Sequence, residues 1–169
     1  MSTEMEVRKL RTAETPKKII EADFPSIQGN LPISGGWGYT KEDAVYIDKN
    51  HPDVSKNLPF DGVGVEYVFV GKRIYEELII FRSGDDGFSG IGWTLINQKL
   101  ISDGDSKFDV LSYHVTAFPD PDWESLKREW EQNNGFKSSP AALEEHLKKR
   151  HKKTVHYTTN YWFNITTFF

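Results

Sequence analysis

Three kinds of side chain in this sequence could carry chemistry: histidines, clustered aspartates, and aromatic rings set among glycines. The histidines are His51, His114, His146, His151 and His156. None falls at the HExxH spacing that puts two imidazoles on one helical face for a metal. His146 and His151, five residues apart, diverge around a helix. His114 lies between Ser112 and Thr116 in an alternating stretch, from which it could meet Asp109 or Glu66 across a sheet. A carboxylate beside a histidine is a general acid–base pair. A hydrogen-bonded or solvent-facing strand histidine accounts for the same position without chemistry, and that is the expectation. No serine sits in a GxSxG elbow. The chain has no cysteine, which excludes thiol catalysis, thiolate metal sites and a disulfide framework.

The aspartates fall in two loops, Asp85-Asp86 and the set Asp103, Asp105 and Asp109. Hard oxygen ligands at alternating positions are what Ca²⁺ needs. Here Lys107 occupies the next ligand position, and no bidentate glutamate closes a twelve-residue loop. Aspartate and glycine are also ordinary turn residues, so no metal is expected. The stretch Ser34-Gly35-Gly36-Trp37-Gly38-Tyr39 is neither GxGxxG nor a phosphate-binding loop. Trp37 and Tyr39 could stack on a base or sugar ring. A strand whose glycines admit a close neighbour explains the residues equally. The run Lys148-Lys149-Arg150-His151-Lys152-Lys153 could contact phosphates. Cations at a helix C-terminus also complement the helix dipole, and nucleic acid is not an expected partner.

The elements that would position these residues divide by period. Val63, Val65, Tyr67 and Phe69 alternate, and Gly71-Lys72 follows as a turn into Arg73 to Phe81, which predicts a hairpin. Glu76-Glu77 interrupts the alternation and predicts a bulge or a short helical detour. A strand from Ile91 to Ile101 and another from Phe108 to Phe118 flank the polar loop 102–107; on the second, Leu111, Tyr113, Val115 and Ala117 share one face, opposite Val110, Ser112, His114 and Thr116. Thr40 to Asp43 fits a capping box loosely, and fits a hairpin turn into Ala44–Ile47 equally well. Past Phe118 the period becomes helical. Asp120 is placed to cap a helix with Pro121 in its first turn, and Trp123, Leu126 and Trp130 form its apolar stripe. Asn134-Gly135 ends that helix. Ser139-Pro140 starts a second, with Ala142, Leu143 and Leu147 inward. His156 to Phe169 is β-branched and aromatic, and reads as a closing strand.

The expected fold is α+β: a mostly antiparallel sheet built from hairpins, with two C-terminal helices packed on it. Residues 1–16 read as a polar N-terminal arm and 17–169 as a single domain. A chain of 169 residues with 14% aromatics has the ring surface for a core and is not disordered. A net charge of −4 does not mark a basic nucleic-acid binder. The N-terminus has no apolar signal segment, and no stretch approaches the roughly 18 apolar residues of a membrane span. A cytoplasmic protein is expected, with no membrane association.

With no catalytic constellation in view, the expected function is a small protein-binding domain. Its sharpest form is an immunity-type protein that neutralises a cationic bacterial toxin by binding it, steered by exposed acids. Binding contacts are expected at Trp37, Tyr39, Asp85, Asp86, Asp103 and Asp105, with no catalytic residue and no cofactor. Two alternatives stand beside it. One is an enzyme with a sheet-face site around His114, Glu66, Glu76 and Glu77. The other is a sugar- or nucleotide-binding module that stacks its ligand on Trp37, Tyr39 and Trp93.

Overall fold

The computed structural model describes all residues, Met1–Phe169. Strands are β1 (Thr3–Glu4), β2 (Ile33–Gly35), β3 (Val45–Ile47), β4 (Phe88–Asp103), β5 (Ser106–Pro119) and β6 (Val155–Asn164). Helices are α1 (Pro16–Asp23), α2 (Gly62–Tyr75), α3 (Asp120–Gln132) and α4 (Pro140–Lys153). The sheet order is β2-β3-β6-β5-β4, with β1 also beside β6. Its pairing is mixed. β2 and β3 are antiparallel, whereas β1 and β3 both run parallel to β6. The class is α+β. Contacts divide the chain into one unit of 1–8, 77–94 and 114–158 and another of 9–76, 95–113 and 159–169. No helix is long and apolar enough to cross a membrane.

In the second unit, α1 starts where Thr15 Oγ1 accepts from Lys18 N and Pro16 fills the first turn. Asp43 closes the β2–β3 hairpin by accepting from Thr40 N at 2.6 Å, so the turn reading of Thr40–Asp43 holds. Gly35 sits at φ +84°, and a Cβ there would run into the Ala44 carbonyl.

The largest correction concerns 62–81. The expected hairpin is instead helix α2, followed by a π turn at Glu76–Ile80. Asp61 Oδ1 caps it through Gly64 N at 2.8 Å. Gly62, Glu66, Phe69 and Arg73 are buried at helical spacing, while Val63 and Tyr67 turn outward. Gly71 is a buried helical position and makes no turn. The apolar run satisfies both periods. The cap and the Phe69, Val70 and Ile74 stripe select the helix over β propensity. The Phe69 ring fits between Trp37, at 6.2 Å, and Phe163, at 5.8 Å.

In the same unit, Gly104-Asp105 turns β4 into β5, with Gly104 at φ +60° where a two-residue hairpin needs it. β5 and β6 are antiparallel: Ile165 N donates to Lys107 O, and Ser112 Oγ donates to Asn160 Oδ1. Leu111, Tyr113 and β6's Tyr161 and Phe163 are buried.

The first unit holds α3 and α4 as expected, with two shifts. Asp120 is the first helical residue and not its cap; its carboxylate accepts from Ser89 Oγ at 2.6 Å. On α4 the inward residue is His146, not Leu147, which is exposed. His146 can lie inside because Glu129 Oε1 meets its Nδ1 at 3.2 Å, so no polar atom is stranded there. Ser139 does cap α4, accepting from Ala142 N. Trp130 is 44% exposed, so the α3 stripe is buried only at Leu126. The polar arm contributes β1, paired through Thr3↔Val155 and Glu4↔His156.

Candidate functional site

α2 and β5 bring two carboxyls together in the second unit. Glu66 and Asp109 are 2% and 7% exposed. Burial, and then the Asp109 charge and hydrogen bond beside it, push the Glu66 carboxyl up to about 8. Two adjacent carboxyls out of water cannot both ionise cheaply, so the pair retains a proton at neutral pH. Gln98 Nε2 donates to Asp109 Oδ2 at 2.8 Å. Tyr113 lies on the same side, its hydroxyl pushed up to about 12 by burial and by Tyr67 and Glu66. A second glutamate is raised beside an exposed carboxyl, Asp23. Glu76, fully buried, rises to about 8 through burial and the neighbouring Asp23. Both proton-holding glutamates project from α2 and its π continuation. A carboxyl that keeps its proton up to neutral pH can take part in proton transfer there. With Glu66 and Asp109 this deeply covered, a substrate could reach them only if side chains moved.

The edge strand is built in the opposite way. From Leu95 to Leu100 every residue of β4 is exposed, with Ile96 56% and Leu100 53% open. β4 ends the sheet order, so its outer N–H and C=O groups face no strand. Natural edges are blunted by charge, proline or bulges. Along Leu95–Ser102 the only charge is Lys99, and there is no proline. Ile96 and Leu100 point to one face, flanking Gln98, and Leu95 points to the other.

The residues expected to bind fall in different settings. Trp37 is 4% exposed; its indole N–H donates to Thr12 Oγ1 at 3.0 Å and its ring packs on Phe69, so it is a plug in the core. Tyr39 is half-buried, its hydroxyl accepts from Leu10 N, and the Arg73 guanidinium lies 4.1 Å from its ring. Neither ring presents a free stacking face. Asp103 and Asp105 are exposed at the β4–β5 tip. Asp103 forms an ion pair with Lys41 at 2.8 Å, which holds its carboxyl below the usual carboxylate range. Asp85 and Asp86, in the other unit, are exposed in a short 3-10 turn. His114 has His156 as its ring neighbour at 5.3 Å, while Glu66 meets Asp109. The basic run is largely ion-paired, Lys149 to Glu129 and Lys153 to Asp122.

Arg73 escaped the sequence reading because an arginine in an assumed strand gives no sign of burial. It is completely buried and lies over the Tyr161 ring at 3.5 Å. It donates to Trp37 O, Thr159 Oγ1 and Asn160 O. The open run of β4 was also missed; its apolar residues look the same in sequence whether covered or bare. No known protein family, characterised protein or solved structure matches this chain.

Proposed function

We propose that this chain is a protein-binding domain of the immunity type, which caps a basic protein toxin by accepting a strand of that toxin on the open edge of β4. The observation that carries this reading is the run Leu95–Leu100, bare on both faces and at its edge, with Ile96 and Leu100 as anchors. Strand addition draws affinity from main-chain hydrogen bonds and specificity from alternate side chains. Lone apolar residues on a surface need no explanation, but an apolar edge guarded by a single lysine, Lys99, is either an aggregation hazard or a docking template. Asp105 at the hairpin tip and the formal net charge of −4 favour a basic partner during approach.

The test places a photo-crosslinking residue at position 96 in the source cells and compares the wild type with an Ile96→Lys/Leu100→Lys pair. The expected result is one stoichiometric basic protein crosslinked at 96, its toxic activity silenced by the wild type and restored by the double variant. Both changes are at exposed positions, so the melting temperature should hold. A partner retained by the double variant, or one whose activity is untouched by binding, refutes the reading. The Glu66–Asp109 pair favours a second reading, an enzyme. Turnover that is lost in Glu66→Gln and indifferent to the Ile96→Lys/Leu100→Lys pair would select it.

A further inference from the structure

We propose that the cleft between α3 and α4 is a binding site for a small free aromatic carboxylate. Trp123, Leu126, Lys127 and Trp130 of α3 line it, spaced along one helical face, and His146 and Arg150 of α4 close it one turn apart. Its volume is about 210 Å³. A cavity of about 150 Å³ suffices for a benzene ring, so this cleft has room for one ring and an attached carboxylate.

The walls are apolar and aromatic, and the charged groups at the cleft are cations. Glu129 meets His146 Nδ1 and Lys149, Asp122 meets Lys153, and Glu144 and Glu145 meet Lys148. Lys127 and Arg150 have no carboxylate partner, and no acidic side chain lines the cleft. Arg150 is already oriented: its guanidinium lies 5.4 Å from the Phe118 ring and 5.8 Å from the Trp123 ring. A guanidinium held against rings keeps its in-plane N–H fork for a carboxylate. On the opposite wall the His146 ring lies 5.6 Å from Trp130 and 4.9 Å from Phe136, and its hydrogen bond to Glu129 fixes it. The site is therefore a rigid aromatic slot with an unpaired cationic mouth, the complement of a ring bearing one negative group.

Titration with phenylacetate, followed through the indole N–H resonances, tests this directly. The chain has five tryptophans, and only Trp123 and Trp130 line the cleft. Those two resonances should shift and saturate together, with Trp37, Trp93 and Trp162 still. Phenylacetamide, of the same shape without charge, should bind about tenfold more weakly or worse, because a charge-assisted pair is lost. Arg150→Gln, at an exposed position, should abolish the preference for the acid over the amide while leaving the melt unchanged. The Ile96→Lys/Leu100→Lys variant should bind phenylacetate as the wild type does, so the two proposals fail separately. Equal binding of acid and amide, an Arg150→Gln protein that still prefers the acid, or shifts that never saturate would each overturn the assignment.

Discussion

Replacing Glu66 by glutamine should make the protein more stable at alkaline pH and flatten its pH dependence. In the folded chain the Glu66 carboxyl loses its proton at about 8, against an ordinary value of 4.5. The unfolded chain therefore gives up this proton at lower pH than the folded one. The resulting stabilisation is complete below pH 4.5 and drains away as pH rises to about 8. Each pH unit is worth about 1.4 kcal/mol, so the ceiling for this one group is about 5 kcal/mol. Glu76 shifts in the same direction to the same value. Two full losses would total about 10 kcal/mol, which rivals the whole stability of a domain. Any relaxation around the new charges lowers the folded pKa and the loss together, at the same ~1.4 kcal/mol per pH unit. Glutamine keeps the shape, carries no charge and can donate its amide to Asp109. Urea unfolding of wild type and Glu66→Gln at half-unit steps from pH 5 to 8.5 provides the comparison. Wild-type stability should fall across that range, and the variant should lose about half the slope and overtake wild type near pH 8. A wild-type stability that rises from pH 6 to 8, or a variant with the parental slope, would refute the argument. The carboxyls held low, Asp103 and Glu129, finish titrating below this window and cannot produce the fall.

Arg73→Ala should cost about 3–5 kcal/mol in chemical unfolding, since it strands buried carbonyls and opens space between two tyrosine rings; a loss under 1 kcal/mol would mean the guanidinium is dispensable packing. Gly35→Ala should destabilise by about 1–3 kcal/mol, because φ +84° is left-handed and the new methyl meets the Ala44 carbonyl; a raised melting temperature would contradict both points.

The parts of the chain legible in sequence were those where one period dominated. Trp123, Leu126 and Trp130 fit only a helix, and Leu111 to Ala117 alternate over enough residues to fix a strand. Val63 to Val70 could be read at either period, and β-branched residues tipped the reading toward a strand. What speaks against a strand is local: Asp61 three residues before Gly64, and Glu76-Glu77 spoiling the alternation. Burial of polar groups was less legible still. Glu66 and Asp109 were both recognised as carboxyls able to face the sheet, but assigned to His114, because nothing local says which acid will meet which partner. His146 lies inside on account of Glu129, seventeen residues away. Trp37 is a plug because Phe69 arrives from a helix that the sequence reading did not contain.

The position of β6 bears on how the chain is made. It is the last strand in sequence, yet it lies between β3 and β5. During synthesis β3 and β5 emerge with no common neighbour, and the Arg73 guanidinium must wait for Thr159 and Asn160, 86 and 87 residues later. Such distant closures slow folding and leave strand edges bare in the meantime. A nascent chain stopped before Val155 is therefore not a smaller version of this sheet but two separate flaps with sticky margins.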